Sequence, residues 1–217
     1  QDYAALMGSS ELSRKQKAIL QEAERLVCAR TTQKITVAIT SPLELLRELF
    51  TVKGAGTLLR RGSRISRRDG LGSLDKERLR TLLESAFGRP VVDAFFQKEV
   101  ACVYLDEDYR CAAVLVDTDQ GIYLSKFAVE REAQGEGLGG DLWERVTQDH
   151  PVMFWRSRRD NPIDPWYIRQ CDGLMRLPTW NVFFKGFAPD RIAGAVAYAL
   201  AQPPDFSGAA GAPSPTE

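Results

Sequence analysis

The chain has 217 residues, 44% of them hydrophobic and 27% charged, and its 29 basic residues balance 29 acidic ones. That length allows one full domain and part of a second, and the neutral balance argues against a nucleic-acid or membrane-surface protein, leaving only a local basic patch open. No apolar run approaches the roughly 18 residues of a membrane span. Cys28, Cys102, Cys111 and Cys171 lie far apart with no C-x-x-C pair, so they read as scattered reduced thiols rather than a disulfide framework or a metal site.

The chain opens on Gln1 rather than Met and is read as a piece or processed form of a longer protein, so a missing leader says little. Residues 11–30 are periodic in the helical sense, with Ile19, Ala23, Leu26 and Val27 on one face. "KITVAIT" (34–40) predicts a β-branched strand. Ser41-Pro42 then offers a hydroxyl cap and a first-turn proline for the helix "PLELLRELF". Residues 1–62 are too little to bury a core of their own and look like the end of a larger α/β domain. "RRGSRISRR" (60–68) reads as a solvated basic linker, placed at 63–72, or as an anion site for a ligand phosphate.

A second domain, 73–206, opens on a helix capped by Ser73, with Leu79, Leu82, Leu83 and Ala86 as its apolar stripe. A short helix "PVVDAFFQKE" follows, then strands "ACVYL" (101–105), "CAAVLVD" (111–117) and "IYLSKFAV" (122–129). Next come a glycine-rich turn, a helix from about Gly139 to Asp149 closed by His150-Pro151, and the strand "VMFWRSR". "NPIDPWYIRQCDG" predicts a loop and short helix, "NVFFKGF" a strand and "DRIAGAVAYALA" a last helix. The tail 207–217 is small and Pro/Gly-rich, which predicts disorder. The order implies an α+β layer on a largely antiparallel sheet.

The turn holds four glycines in the six residues from Gly135 to Gly140. Gly135, Gly137 and Gly140 satisfy G-x-G-x-x-G, but the following strand ends in Arg156-Ser157-Arg158 with no acid for a ribose, and a hairpin rather than a βαβ series precedes it. Asp141-Leu142 after Gly140 excludes the P-loop. A turn of free N–H groups at a helix N-terminus suits a pyrophosphate, the alternative being a glycine-rich turn with no ligand. Lys126 interrupts an apolar strand, on the face of Ile122, Leu124 and Ala128 by alternation. Arg156 and Arg158 share a face of theirs. Either the three are strand-end surface charges or they gather to grip carboxylates.

Gln134-Gly135-Glu136-Gly137-Leu138-Gly139 fits Q/R-x-x-G-x-G/A and resembles the acetyl-coenzyme A loop of the GNAT acetyltransferases, over roughly residues 72–200. "FWRSRRDNPIDPWY" (154–167) resembles the signature of the N-acetylglutamate synthases, in the branch of the vertebrate enzymes and bacterial bifunctional synthase/kinases. "VAITSPLELLRELFTVKGAGTLLRRG" (37–62) resembles the end of an amino-acid kinase domain.

The resemblance implies a GNAT fold, α+β with a splayed, mostly antiparallel sheet, after a kinase-domain fragment. It also implies acetyl transfer from acetyl-CoA to the α-amine of L-glutamate, the first step of arginine biosynthesis. Tyr167 would be the general acid for the leaving thiolate, with an aromatic packing role as the alternative, and Asn161 would hold the substrate or position Tyr167. Lys126, Arg156 and Arg158 would bind the glutamate carboxylates, and a backbone N–H near Phe127, Ala128 and Val129 would meet the oxyanion. Gln134, Gly135, Gly137, Leu138, Gly139 and Gly140 would cradle the coenzyme. Glu48 and Gly54 match the arginine-effector site of the parent family. No metal and no kinase activity are expected. The expected setting is a homo-oligomer in the bacterial cytoplasm, or in mitochondria for a eukaryotic parent. The competing expectations are a GNAT domain acting on another amine and a regulatory domain that binds coenzyme A or glutamate without turnover.

Overall fold

The computed structural model describes residues 3–28, 36–44, 57–60, 64–134 and 137–208. The chain divides into two compact units, residues 1–62 and 63–217. The first holds helices α1 (Tyr3–Gly8) and α2 (Arg14–Val27) and an antiparallel pair of strands, β1 (Thr36–Ile39) and β2 (Thr57–Arg60). Ser13 starts α2 with a capping box: its hydroxyl accepts from the Gln16 N–H at 3.3 Å, and the Gln16 side chain accepts from the Ser13 N–H at 2.9 Å.

The buried stripe of α2 is Leu20, Ala23 and Val27, whereas Ile19 and Leu26 are exposed. The expected face was therefore off by one position: two i, i+3/i+4, i+7 stripes cross at Ala23, and the packed one carries Leu20. β2 pairs with β1 although no periodicity announces it. Of the helix expected after Ser41-Pro42, the described residues show one turn, with the Glu44 N–H donating to the Ser41 carbonyl at 3.1 Å. The remainder, with Glu48 and Gly54, lies outside the described residues.

The second unit contains β3 (Ile65–Asp69), α3 (Lys76–Phe87), β4 (Cys102–Asp106), β5 (Cys111–Thr118), β6 (Gly121–Val129) and α4 (Leu138–Asp149). It continues with β7 (Met153–Arg158), α5 (Asp164–Gln170), β8 (Gly173–Arg176), β9 (Trp180–Lys185) and α6 (Ile192–Ala201). Its strands form one sheet in the order β3-β4-β5-β6-β7-β9-β8, antiparallel at every pairing except β6 with β7. The expected α+β fold with a mostly antiparallel sheet is what the chain adopts.

Strand alternation puts Cys102 and Tyr104 on one face and Val103 and Leu105 on the other, and all four are buried. The sheet is thus covered on both sides, as a sheet between two helical layers must be. One face packs α4 and α5 through Leu138, Leu142, Trp143, Val146 and Tyr167. The opposite face packs α3 near β5 and β6, and α6 near β7 and β9.

Three sequence readings change here. The basic run placed in a linker at 63–72 carries β3, an edge strand antiparallel to β4. An edge strand has one open side and tolerates charge; Arg67 pairs with Asp69 at 3.1 Å and Arg64 with Glu107 at 3.7 Å. The cap of α3 is Asp75, not Ser73: its carboxylate accepts from the Arg78 N–H at 3.1 Å, a cap worth about 1 kcal/mol. The tail expected to be disordered from 207 is tied down at its first residue, the Ser207 N–H donating to the Pro90 carbonyl at 2.9 Å, while residues 209–217 lie outside the described residues.

Candidate active site: two clefts where neighbouring strands part

β6 and β7 run parallel for three rungs, Ile122–Met153, Tyr123–Phe154 and Leu124–Trp155, and then separate. A bulge explains the parting. The β5–β6 register moves from Leu115–Leu124 to Val114–Lys126, leaving Ser125 without a rung, and a bulged strand bends. Two clefts open at the gap, of about 1020 Å³ and 770 Å³. Both are lined by Phe87, Ser125, Arg156, Ser157, Arg158 and Asn161, so they meet through the sheet.

The first cleft lies on the α4/α5 side. Phe127, Val129, Gln134, Gly137, Gly139 and Gly140 line it, as does Tyr167. Gly137 caps α4 with φ 82°, in the left-handed region that favours glycine. The first helical bond of α4 runs from the Asp141 N–H to the Gly137 carbonyl at 3.1 Å, so the N–H groups before it form the helix's open N-terminus. A Cβ on Gly140 would meet nothing within 4 Å and would project into open space at the cleft. The Gln134 amide donates to the Val129 carbonyl at 3.4 Å and closes the turn onto β6. This cradle fits a pyrophosphate. Two expected contacts do not line it: Leu138, the first residue of α4, is buried in the core, and Ala128 faces the opposite side, so each could offer only backbone. Gly135 lies outside the described residues.

Tyr167 sits on α5 among Trp155, Trp166 and Phe183, with ring centroids 5.3–5.5 Å away. Burial, and next the neighbouring Asp164, push its phenol well above the ordinary tyrosine range, so it stays protonated. Asp164, one turn earlier, accepts from the Ser157 hydroxyl at 2.5 Å and from the Asn181 amide at 2.7 Å. These buried bonds fasten α5 to β7 and β9. Asn161 shapes the entry to α5: its side-chain oxygen accepts from the Ile163 N–H at 3.2 Å and its carbonyl from the Asp164 N–H at 2.9 Å.

The second cleft lies on the α3/α6 side and gathers Lys126, Arg156 and Arg158, as expected. The expected face of Lys126 was wrong. The bulge at Ser125 turns Lys126 away from Ile122 and Leu124 and returns Phe127 to their side. Its ammonium ion-pairs with Asp205, donates to the Ser125 carbonyl at 3.0 Å, and lies 5.4 Å from the Phe95 ring. Burial pulls it down to about 8. Arg156 donates to the Ala199 carbonyl and, at 3.0 Å, to the Gln202 carbonyl, closing the end of α6. Arg156 and Arg158 stack on Trp180, at 4.0 and 4.7 Å. Arg158 is exposed and, among the described residues, is paired with no carboxylate.

Residues 66–199 match the family described as the N-acetyltransferase of N-acetylglutamate synthase. The chain belongs to that family. It is 41% identical, over 182 residues and 80% of its length, to the acetylglutamate kinase of Xanthomonas campestris, and 37% identical, over 76% of its length, to human mitochondrial N-acetylglutamate synthase. It spans 42% and 32% of the length of those two relatives. Among solved structures it resembles Neisseria gonorrhoeae N-acetylglutamate synthase in complex with coenzyme A and L-arginine, with 16% identity and a TM-score of 0.42, over 85% of this chain and 48% of that one. A second likeness is the Escherichia coli ribosomal-protein-S18-alanine N-acetyltransferase, with 12% identity and a TM-score of 0.45, over 58% and 97%.

In this N-acetyltransferase chain, sequence reasoning missed Ser157, Asp164, Asn181, Trp180 and Asp205. The first two lie inside the signature run and were legible as polar residues on a strand and at a helix start. Asn181, Trp180 and Asp205 join the site only through long-range packing. His150 closes α4, as the His150-Pro151 pair predicts, with its Nε2 3.7 Å from Cys102 Sγ, and lines neither cleft. No group of three metal-ligating side chains occurs among the described residues.

Proposed function

We propose that the chain transfers an acetyl group from acetyl-CoA to the α-amine of L-glutamate by direct attack. The observation that carries this reading is the meeting of two clefts at the β6–β7 gap, one holding a glycine-rich cradle and the other gathering Arg89, Lys126, Arg156 and Arg158, with Arg156 and Arg158 at the wall they share. Acetyl-CoA would supply the acetyl group as a thioester. Gly137, Gly139 and Gly140 would hold its pyrophosphate, and the edge of β6 from Phe127 to Val129 would offer backbone groups to its arm and to the developing oxyanion.

On the other face, Arg158 would take one substrate carboxylate as a guanidinium fork, and Lys126 and Arg156 would supply positive potential for the second. The two faces together would bring the amine and the acyl carbon into one gap, an entropic contribution. Tyr167 Oη would hold a proton for the leaving sulfur. The raised phenol favours the protonated form but also makes it a weaker acid, so its contribution comes from position. Asn161 would position Tyr167 through the turn it shapes. Deprotonation of the substrate ammonium is assigned to a water chain.

The first unit is proposed as the end of an amino-acid kinase-type domain. The match to the Xanthomonas relative supports this, since it covers 80% of the chain and so extends beyond the second unit. Arginine as an effector, a homo-oligomer and a bacterial cytoplasmic setting belong to the same proposal; no described helix is long and apolar enough to cross a membrane.

The test is acetyl transfer by the whole chain to glutamate, lysine and spermidine side by side. Turnover of glutamate alone is expected. Acetylation of a polyamine with glutamate inert would replace this reading with a different acceptor, and binding of coenzyme A without any turnover would replace it with a regulatory domain.

A further inference from the structure

Asp205 lies beyond the 66–199 segment that matches the family, in the extended stretch after α6, yet it is only 7% exposed. The stretch is sewn to the loop after α3. The Val92 N–H donates to the Asp205 carbonyl at 3.0 Å and the Ser207 N–H to the Pro90 carbonyl at 2.9 Å, while Phe206 bridges Val91 and packs its ring 4.7 Å from Phe87. The side chain is therefore held from both flanks. One carboxylate oxygen takes the Lys98 ammonium and the other takes Lys126. Asp205 is the one acid lining the second cleft among the described residues.

We propose that Asp205 is a positioning residue of the acceptor cleft, keeping the Lys126 ammonium charged and in place at the cleft wall and thereby setting a preference for acidic acceptors. The inference rests on the reading of this cleft as the acceptor site. A buried ammonium loses its proton unless an anion or polar group holds it. The charged and titratable groups around Lys126 are Asp205 from the extended stretch, Lys98 after the short helix at Asp93–Gln97, Arg156 from β7 and Tyr123 from β6. Lys98 and Arg156 act with burial to pull the lysine down, and Asp205 opposes them. Burial works against the Asp205 anion as well, but Lys126 and Lys98 outweigh it and hold the carboxyl below its ordinary range. Arg89, Lys98, Lys126, Arg156 and Arg158 against one carboxylate leave the region positive, so Asp205 relieves repulsion without cancelling the attraction for a substrate carboxylate.

The test uses the whole chain with Asp205→Asn, read by steady-state kinetics and by NMR titration of the lysine ammonium groups. The KM for glutamate is expected to rise about tenfold, from the lost charge and the lost placement of the ammonium together, with the KM for acetyl-CoA unchanged, and the Lys126 midpoint to fall by about one pH unit. Asp205→Glu, which keeps the charge on a longer arm, is expected to restore most of both. An unchanged or lower KM for glutamate, or an unmoved Lys126 midpoint, would overturn the proposal; a lower KM would mean that Asp205 competes with the substrate. If Asp205→Asn does not fold, the Asp205→Glu titration decides: a Lys126 midpoint more than about one unit below that of the unsubstituted chain overturns the proposal. Failure of the unsubstituted chain to acetylate glutamate would sink the functional reading instead, and the titration would still report what Asp205 does to Lys126.

Discussion

The two clefts share a boundary at the β6–β7 gap but are built from different physics. The first is made of backbone: a left-handed glycine, an open helix N-terminus and a strand edge without a partner strand beyond Leu124. Its side chains are mostly aromatic and apolar. The second is made of charged side chains set against aromatic rings, and its buried Lys126 needs the Asp205 carboxylate beside it to stay charged. A backbone site is fixed by the fold and is insensitive to most substitutions. A charged site depends on single side chains and on the few partners that hold them.

Removing the proton donor of the first cleft should have the largest effect. Tyr167→Phe is expected to lower kcat by about a hundred- to a thousandfold with both KM values nearly unchanged, the pattern of a lost transition-state proton donor. An unchanged rate would reduce Tyr167 to a packing aromatic. Next comes the charged cleft. Arg158→Ala removes the cation that has no carboxylate partner among the described residues and should raise the KM for glutamate about 10- to 100-fold, the value of a charge-assisted hydrogen bond. An effect confined to acetyl-CoA would show that Arg158 serves the other cleft. The smallest effect is expected in the backbone cleft. Gly140→Ala adds one methyl where nothing lies within 4 Å, so thermal unfolding should show no loss of stability. The KM for acetyl-CoA should nevertheless rise about five- to tenfold, roughly 1 kcal/mol for one misplaced methyl group. A variant indistinguishable from the unsubstituted chain in both respects would move the coenzyme away from this turn.

Much of the site could be read before any coordinates. The glycine turn, Tyr167, Asn161 and the three cations all sit in local patterns, and the structure brings Gln134, Gly137, Gly139, Gly140, Tyr167, Asn161 and the cations to the two clefts, while Leu138 lies in the core and Gly135 outside the described residues. The misses have a common cause. Strand alternation put Lys126 beside Leu124, but one bulged residue reverses the parity of everything after it, and nothing in "LSKFAV" marks Ser125 as that residue. β3 looked like a linker because an edge strand needs little hydrophobicity. β2 and β8 are four residues each, too short for a period to register.

The sequence alone determined the order of the longer helices and strands, the residue types at the turn and the signature run, and the neutral balance of charge, because these are local properties of composition and spacing. The tertiary structure decided which face each cation occupies and which partners it has. Lys126 meets Asp205 across 79 residues and Arg156 meets Gln202 across 46. Such pairings depend on how the sheet bends and where the chain returns after α6, and a periodicity read over a dozen residues carries no information about either.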